Sequence, residues 1–358
     1  MEFIRPDINI NFVGMRYKAF MLSAVIILLG LAILVWRGGI LLGVDFAGGT
    51  LVQMKFQKPT TPSAIRDALG EMGFAGSAVQ QIGATADNEF LIRTDVSTSE
   101  LQQLSTTIQD NLEKVYGEGQ VSVLRVEMVG PKVGQDLRQK ALLAIYYAML
   151  FIAIYISGRF ELKWISSAIM AGVMILGLYL LEGLGLPVAY LIIGALVITI
   201  ALCWMLKLPY ALGAVVSLIH DVLITIGLFA LFNKEFTLEV VAAFLTLVGY
   251  SLNDTIIVYD RIRENLRKGR RQDFGQVINA SINQTLSRTL LVSGTTLFVT
   301  LSLFFLGGSV IHDFTFTLII GIVTGTYSSI FVASPLLLIY EEWATGPSRT
   351  AKAVARSG

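Results

Sequence analysis

The sequence predicts a membrane α-helical bundle of eight crossings carrying one extracytoplasmic ferredoxin-like βαββαβ domain, and three observations predict it. Of the 358 residues, 54% are AVILMFWYC and only 15% are charged, against roughly 25% charged residues in an average soluble protein. Eight apolar runs approach or exceed the length of about 18 residues that crosses a hydrocarbon core of roughly 30 Å. Between the first and second of them, residues 43–135 are polar and take up helical and strand-like periods in turn.

The same composition excludes other classes. Lys and Arg number 27 against 26 Asp and Glu, a formal net charge of +1, so no basic surface speaks for nucleic-acid binding. One cysteine, Cys203, and two histidines, His220 and His312, form no internal disulfide and lack the soft-ligand cluster of a zinc or iron–sulfur site. No metal site and no cofactor are expected.

In chain order, residues 1–18 form a leader carrying Arg5, Arg16 and Lys18, and residues 19–36 form the first crossing. This crossing ends in Trp36-Arg37-Gly38-Gly39 with no small-x-small pattern, so it is an uncleaved anchor and not a signal peptide. In the following domain, residues 50–56 alternate like a strand and 61–73 read as a helix ending at Gly73. Residues 77–83 and 88–94 are two short strands, and Ser97, Thr98 or Ser99 caps a longer helix to Tyr116, closed by Gly117. Residues 120–129 alternate again, which completes the split βαβ order. The stretch GVDFAGGT, 43–50, has Gly49 where a P-loop has its lysine and precedes a strand instead of a helix, so it reads as a tight entry from membrane to domain.

The remaining crossings lie near 141–157, 164–181, 188–206, 210–232, 236–259, 286–306 and 314–340, so the bundle occupies 141–340 and a tail 341–358. The basic residues of the short loops cluster on one side of all eight, and the opposite loops, 182–187, 233–235 and 307–313, are nearly free of them, holding only Lys234. The clustered residues are the leader cations, Arg159 and Lys163, Lys207, Arg261, Arg263, Arg267, Lys268, Arg270 and Arg271, then Arg349, Lys352 and Arg356. That face is expected to be cytoplasmic, with both termini inside and 43–135 outside.

Ionisable groups within the spans are candidates for function, because each costs at least roughly 2.5 to 3.5 kcal/mol at a helix centre. Asp254 follows Tyr250 and Ser251 by one helical turn, on one face, and lies seven residues before Arg261. It is either a functional carboxylate or an interfacial one that reaches headgroups or pairs with Arg261. Arg288 opens the seventh crossing with Thr285 and Thr295 on its face; it either snorkels to the cytoplasm or meets Asp254, which sits at similar depth in the preceding helix. His220 and Asp221 occupy the middle of the fifth crossing, where Ser217, Asp221 and Thr225 form a polar stripe, either a structural network between helices or part of a proton path. Glu239 reads as interfacial. Gly321, Gly325 and Ser329, extended by Thr317 and Ala333, form a stripe of small residues for close helix packing.

Several long segments resemble the SecF subunits of bacterial SecDF protein-export complexes. They are GVDFAGGT, LGAVVSLIHDVLITIGLFAL, VGYSLNDTIIVYDRIRENLR, INQTLSRTLLVSGTT, and HDF followed by GIVTGTYSSIFVASPLL. The resemblance implies a relative of the resistance-nodulation-division transporters in the bacterial inner membrane. Such a subunit pairs with SecD, works beside the SecYEG channel and uses proton flux to draw an unfolded polypeptide outward. It puts Asp254 and Arg288 at the family's proton-path positions, with Tyr250, Asn253, Asp260 and Arg261 matching other motif positions. It also implies six core crossings, so that about 164–206, which holds no Asp, Arg, Lys or His within its two spans, is an inserted, peripheral hairpin. The competing readings are a non-conducting scaffold of the translocase and a lipid or small-molecule exporter of the same superfamily. The single small outer domain speaks against the exporter, and charges at the depth of Asp254 and Arg288 speak against the scaffold.

Overall fold

The computed structural model describes residues 8–71, 74, 77–82, 88–94, 101–182, 188–268, 273–308 and 310–345. Gly73, the capping positions 97–99, Arg5, Arg270, Arg271 and the basic residues of the tail lie outside the described residues. Helix α1 runs Arg16–Trp36, and a one-turn helix α2, Val44–Ala47, leads through Gly48 and Gly49, at φ +77° and +111°, into β1, Gly49–Phe56. These backbone angles favour glycine. A Cβ at Gly48 would also lie 2.8 Å from the Cα of Pro131, where the chain returns to the bundle.

The outer unit continues with α3 Pro62–Glu71, β2 Ala78–Ile82, β3 Glu89–Thr94, α4 Leu101–Tyr116 and β4 Val121–Val129. The strands form an antiparallel sheet in the order β2-β3-β1-β4. Alternation explains the core, because every second residue of a strand faces the same side. Val52, Met54 and Phe56 of β1 and Phe90 and Ile92 of β3 are buried against Ile65 and Leu69 of α3 and Ile108 and Leu112 of α4. A register shift between Gln53 and Met54 places a bulge in the β1–β4 pairing.

The bundle comprises α5 Pro131–Ile156, α6 Trp164–Glu182, α7 Val188–Met205, α8 Pro209–Phe232, α9 Leu238–Lys268, α10 Phe274–Leu306, α11 His312–Ser328 and α12 Ser334–Thr345. Several helices outrun their expected apolar segments: α5 starts at Pro131 directly after β4, within the expected domain 43–135, and α9 and α10 extend through polar residues to Lys268 and from Phe274. Between α11 and α12 the helix widens into one π-helical stretch, Ser329–Ala333. Pro335 has no N–H to continue the ladder, and the Ser334 hydroxyl bonds the Ser329 carbonyl five residues back at 2.7 Å. A second such stretch, Ser157–Glu161, closes α5.

Among the described residues, six helices are able by length and composition to cross a membrane: Val13–Trp36, Pro131–Glu161, Pro209–Phe232, Leu238–Lys268, Phe274–Leu306 and His312–Ala344. The expected extra hairpin is α6 and α7, with shorter apolar stretches Trp164–Gly177 and Tyr190–Met205. Its two ends are tied together. Lys163 Nζ donates to the carbonyls of Leu206 at 3.3 Å and Lys207 at 2.8 Å, capping α7. Glu161 Oε1 accepts the Tyr210 N–H at 2.9 Å, which caps α8 across 49 residues of sequence. The end of α5 therefore meets the start of α8 directly, and the hairpin stands beside that junction.

Candidate functional site

Two fully buried carboxylates stand on neighbouring helices, Asp221 on α8 and Asp254 on α9. A buried charge is costly unless its oxygens are hydrogen-bonded, and here α11 supplies donors to both. Ser251 of α9 and Ser328 of α11 donate to Asp221 Oδ2 at 2.6 and 2.8 Å. Ser293 of α10 and Thr326 of α11 donate to Asp254 Oδ2 at 3.0 and 3.2 Å. Thr326 and Ser328 are two residues apart, so they leave α11 on nearly opposite sides, and α11 reaches a carboxylate with each. Asp254 Oδ1 is buried without a hydrogen-bond partner among the described residues.

The Asp221 cluster continues outward to α1. His220 Nδ1 lies 2.9 Å from Asp221 Oδ1, and its Nε2 lies 3.0 Å from Ser23 Oγ. Ser23 in turn bonds Tyr327 OH at 3.1 Å, and Tyr327 donates to the Ala19 carbonyl and stacks on the imidazole at 5.8 Å. One chain of side chains thus joins α1, α8, α9 and α11. Close backbone approach makes this reach feasible: a Cβ on Gly30 of α1 would lie 2.8 Å from the Gly227 Cα of α8.

The structure separates several residues that share a face or a depth in the sequence. Ser251 serves Asp221 and not Asp254, because three positions along a helix turn the side chain by about 60°. Ser217 and Thr225 are buried but bond their own helix, at the carbonyls of Ala214 and Asp221. Arg261 pairs with Glu264 at 2.9 Å, so the Asp254–Arg261 pairing is not formed. Arg288 is exposed on α10 and forms no ion pair with a described residue, so the Asp254–Arg288 contact is also absent from this arrangement. Asn253 is exposed on α9, and the Tyr250 hydroxyl is buried without a partner among the described residues. Gly321 and Gly325 press on Leu247 and Ser251 of α9, and the Ser329 hydroxyl bonds the Thr326 carbonyl. Ser23, Ser293, Thr326, Tyr327 and Ser328 were not singled out. The run Thr326-Tyr327-Ser328-Ser329 inside an apolar span is the visible signal for the three on α11, and nothing local marks Ser23 or Ser293.

At the outer junction, charged contacts tie the sheet to the bundle. Arg93 lies 3.8 Å from Glu235, and Arg125 lies 3.8 Å from the half-exposed Glu239 and also contacts Glu127. Lys234 pairs with Asp313 at 2.8 Å, and Asp45 caps α9 at the Leu238 N–H. Burial pushes the Glu235 carboxyl above its ordinary range, and the Arg93 guanidinium opposes that shift. Among the described residues no group of three His, Cys, Asp or Glu side chains is placed to hold a metal ion.

With this geometry in place, the comparisons are specific. The C-terminal model of the protein export membrane proteins SecD/SecF matches residues 107–200 and 186–343, and the SecD/SecF GG motif matches 39–60. A protein translocase subunit SecF from Magnetococcus marinus is 42% identical over 344 residues, 95% of each chain. The chain belongs to the SecF family of protein translocase subunits. A second SecF, from Calditerrivibrio nitroreducens, is 38% identical over 95% of this chain and 96% of its own. The crystal structure of SecDF, a translocon-associated membrane protein from Thermus thermophilus, superposes with a TM-score of 0.70 at 28% identity. That match covers 95% of this chain and 40% of the SecDF chain. The SecF GG motif takes in Gly48 and Gly49, the pair at which the chain turns into the outer sheet. The two SecD/SecF C-terminal matches overlap over residues 186–200, which include most of α7.

Proposed function

We propose that the chain pairs with SecD and couples proton flux to late steps of polypeptide export through SecYEG across the bacterial inner membrane, with Asp254 taking up and releasing the proton. The observation that carries this reading is the Asp254 carboxyl, fully buried midway along a membrane-length helix, with Oδ2 held by two hydroxyls and Oδ1 unpartnered among the described residues. One charge crossing 100 mV releases about 2.3 kcal/mol, enough to bias a domain between two states a few kcal/mol apart. His220 and Asp221 link α9 and α11 to α8 and α1, so a shift of α9 is transmitted to them. The exposed Arg288 and Asn253, with Gln284 and Thr295 on the same face of α10 as Arg288, suit a polar contact with SecD within the membrane, since such groups are costly against lipid. The reading is tested by export into inverted vesicles with the gradients collapsed separately. Loss on collapse of the proton gradient supports it, loss on collapse of the sodium gradient alone replaces the ion, and indifference to both supports the scaffold.

The same proposal covers topology. At about 1.5 Å per residue, α6 and α7, of 19 and 18 residues, reach nearly 30 Å, so eight crossings place both termini in the cytoplasm and the βαββαβ unit outside. In a Cys203→Ala background, single cysteines at Gly183 and at the exposed Leu162 are expected to label from the outer and cytoplasmic sides respectively; labelling from one side only removes the eight-crossing topology. The outer unit, in the ferredoxin-like class, is proposed to fold alone, since its apolar cluster draws only on its own strands and helices. Residues 43–135 expressed as a fragment are expected to be soluble with a cooperative thermal transition, and an aggregated or molten product would count against that boundary.

A further inference from the structure

A cavity of about 440 Å³ opens between α5, α7 and α8 under the chain that follows α1. Its walls are apolar, with Leu42, Ile145, Leu196, Leu223 and Phe236 among them, and Arg138 of α5 is its one charged lining residue among the described residues. Arg138 is exposed and has no ion pair or hydrogen bond among the described residues. Lys140, half a turn further along the helix, is matched by Asp136 at 2.7 Å, and at the outer junction Arg93 meets Glu235 and Arg125 meets Glu127 and Glu239. An uncompensated guanidinium beside a slot with otherwise apolar lining calls for an amphiphile with an anionic head.

We propose that this slot binds an anionic phospholipid, one acyl chain lying between α5, α7 and α8 and the phosphate meeting Arg138. Size selects a lipid chain over a partner helix. A helix about 10 Å across has a section of roughly 80 Å², so 440 Å³ holds about one turn of it, whereas an acyl chain is much narrower. Position agrees. Arg138 lies seven residues after Pro131, where the chain leaves the outer sheet, and Ile145 follows seven residues later, so head and tail sites are separated by roughly 10 Å along the helix axis. Leu196 of α7 forms part of one wall, which gives the inserted hairpin a role: it converts an open groove between α5 and α8 into a walled lipid site. The inference goes beyond the proposed proton coupling and needs only that these helices lie in the bilayer.

The test reconstitutes the full chain into phosphatidylcholine vesicles containing a small fraction of phosphatidylglycerol with a photoreactive acyl chain, and maps the labelled peptides. Labelling is expected on α5, α7 and α8. Arg138→Gln, at an exposed position, is expected to lower it about tenfold, equivalent to about 1.4 kcal/mol, while Lys132→Gln leaves it unchanged. Leu196→Trp, which fills the slot from α7, is expected to abolish it, and photoreactive phosphatidylcholine is expected to label more weakly. Uniform labelling of all lipid-facing helices, or labelling indifferent to Arg138→Gln, overturns the proposal. So does a photocrosslinker at Leu196 that captures an arrested exported chain in place of lipid.

Discussion

Inverted vesicles carrying Asp254→Asn are expected to lose the whole gradient-dependent part of export while the protein stays folded, inserted and bound to SecD. The amide is nearly isosteric with the carboxyl, and its oxygen still accepts from Ser293 and Thr326, so the α9–α10–α11 contact persists. Exchanging charge-assisted for neutral hydrogen bonds costs about 1 kcal/mol, too little to unfold a domain whose stability is of order 5–15 kcal/mol. What disappears is the exchangeable proton. Asp254→Ala also strands two buried hydroxyls, and is expected to lower thermal stability as well, which makes the asparagine the informative variant. Arg288→Lys keeps the charge but loses the planar fork and is expected to retain partial export, with Arg288→Ala near inactive. Normal export by Asp254→Asn under a proton gradient would falsify the motor reading and leave the scaffold as the better account.

How much of this could be read from sequence depends on the range of each interaction. Membrane spans follow from local composition, and the strands of the outer unit follow from local alternation, so β1 and β4 each fall within one residue of expectation. Helix ends did not follow, because the added lengths of α9 and α10 carry polar residues such as Asp260, Arg261, Asn279 and Asn283, which give no bilayer signal. The depth of Asp254 was legible from its apolar flanks. Its partners were not: Ser293 and Thr326 lie 39 and 72 residues away, and Ser23 lies 197 residues from His220. Which serine meets which carboxylate depends on helix rotation and crossing, which period alone does not fix. Ser251 therefore bonds Asp221 of α8 and not Asp254 of its own helix, while Gly321 and Gly325 lie against Leu247 and Ser251 of α9.

Gly325→Leu is expected to be strongly destabilising, and it tests whether the two carboxylate clusters depend on one contact. A Cβ at Gly325 would lie 2.9 Å from the Ser251 Cβ and 3.1 Å from its Cα. Backbone cannot turn aside, so α9 and α11 must separate. Gly321 faces the Leu247 side chain, which can change rotamer, so Gly321→Ala is expected to cost no more than about 1–3 kcal/mol of overpacking, partly offset by the roughly 1 kcal/mol helix preference of alanine over glycine. Separation at Gly325 pulls Ser251 and Ser328 from a shared grip on Asp221 and draws Thr326 away from Asp254. The loss is therefore larger, about 3 kcal/mol or more, because buried hydrogen-bonded groups become unpaired in addition to the steric cost. Thermal unfolding in detergent is expected to show a large fall for Gly325→Leu and a small one for Gly321→Ala, with gradient-dependent export lost only in the former. Equal effects at the two glycines would mean that steric crowding alone sets the cost, and that the clusters re-form around a displaced α11.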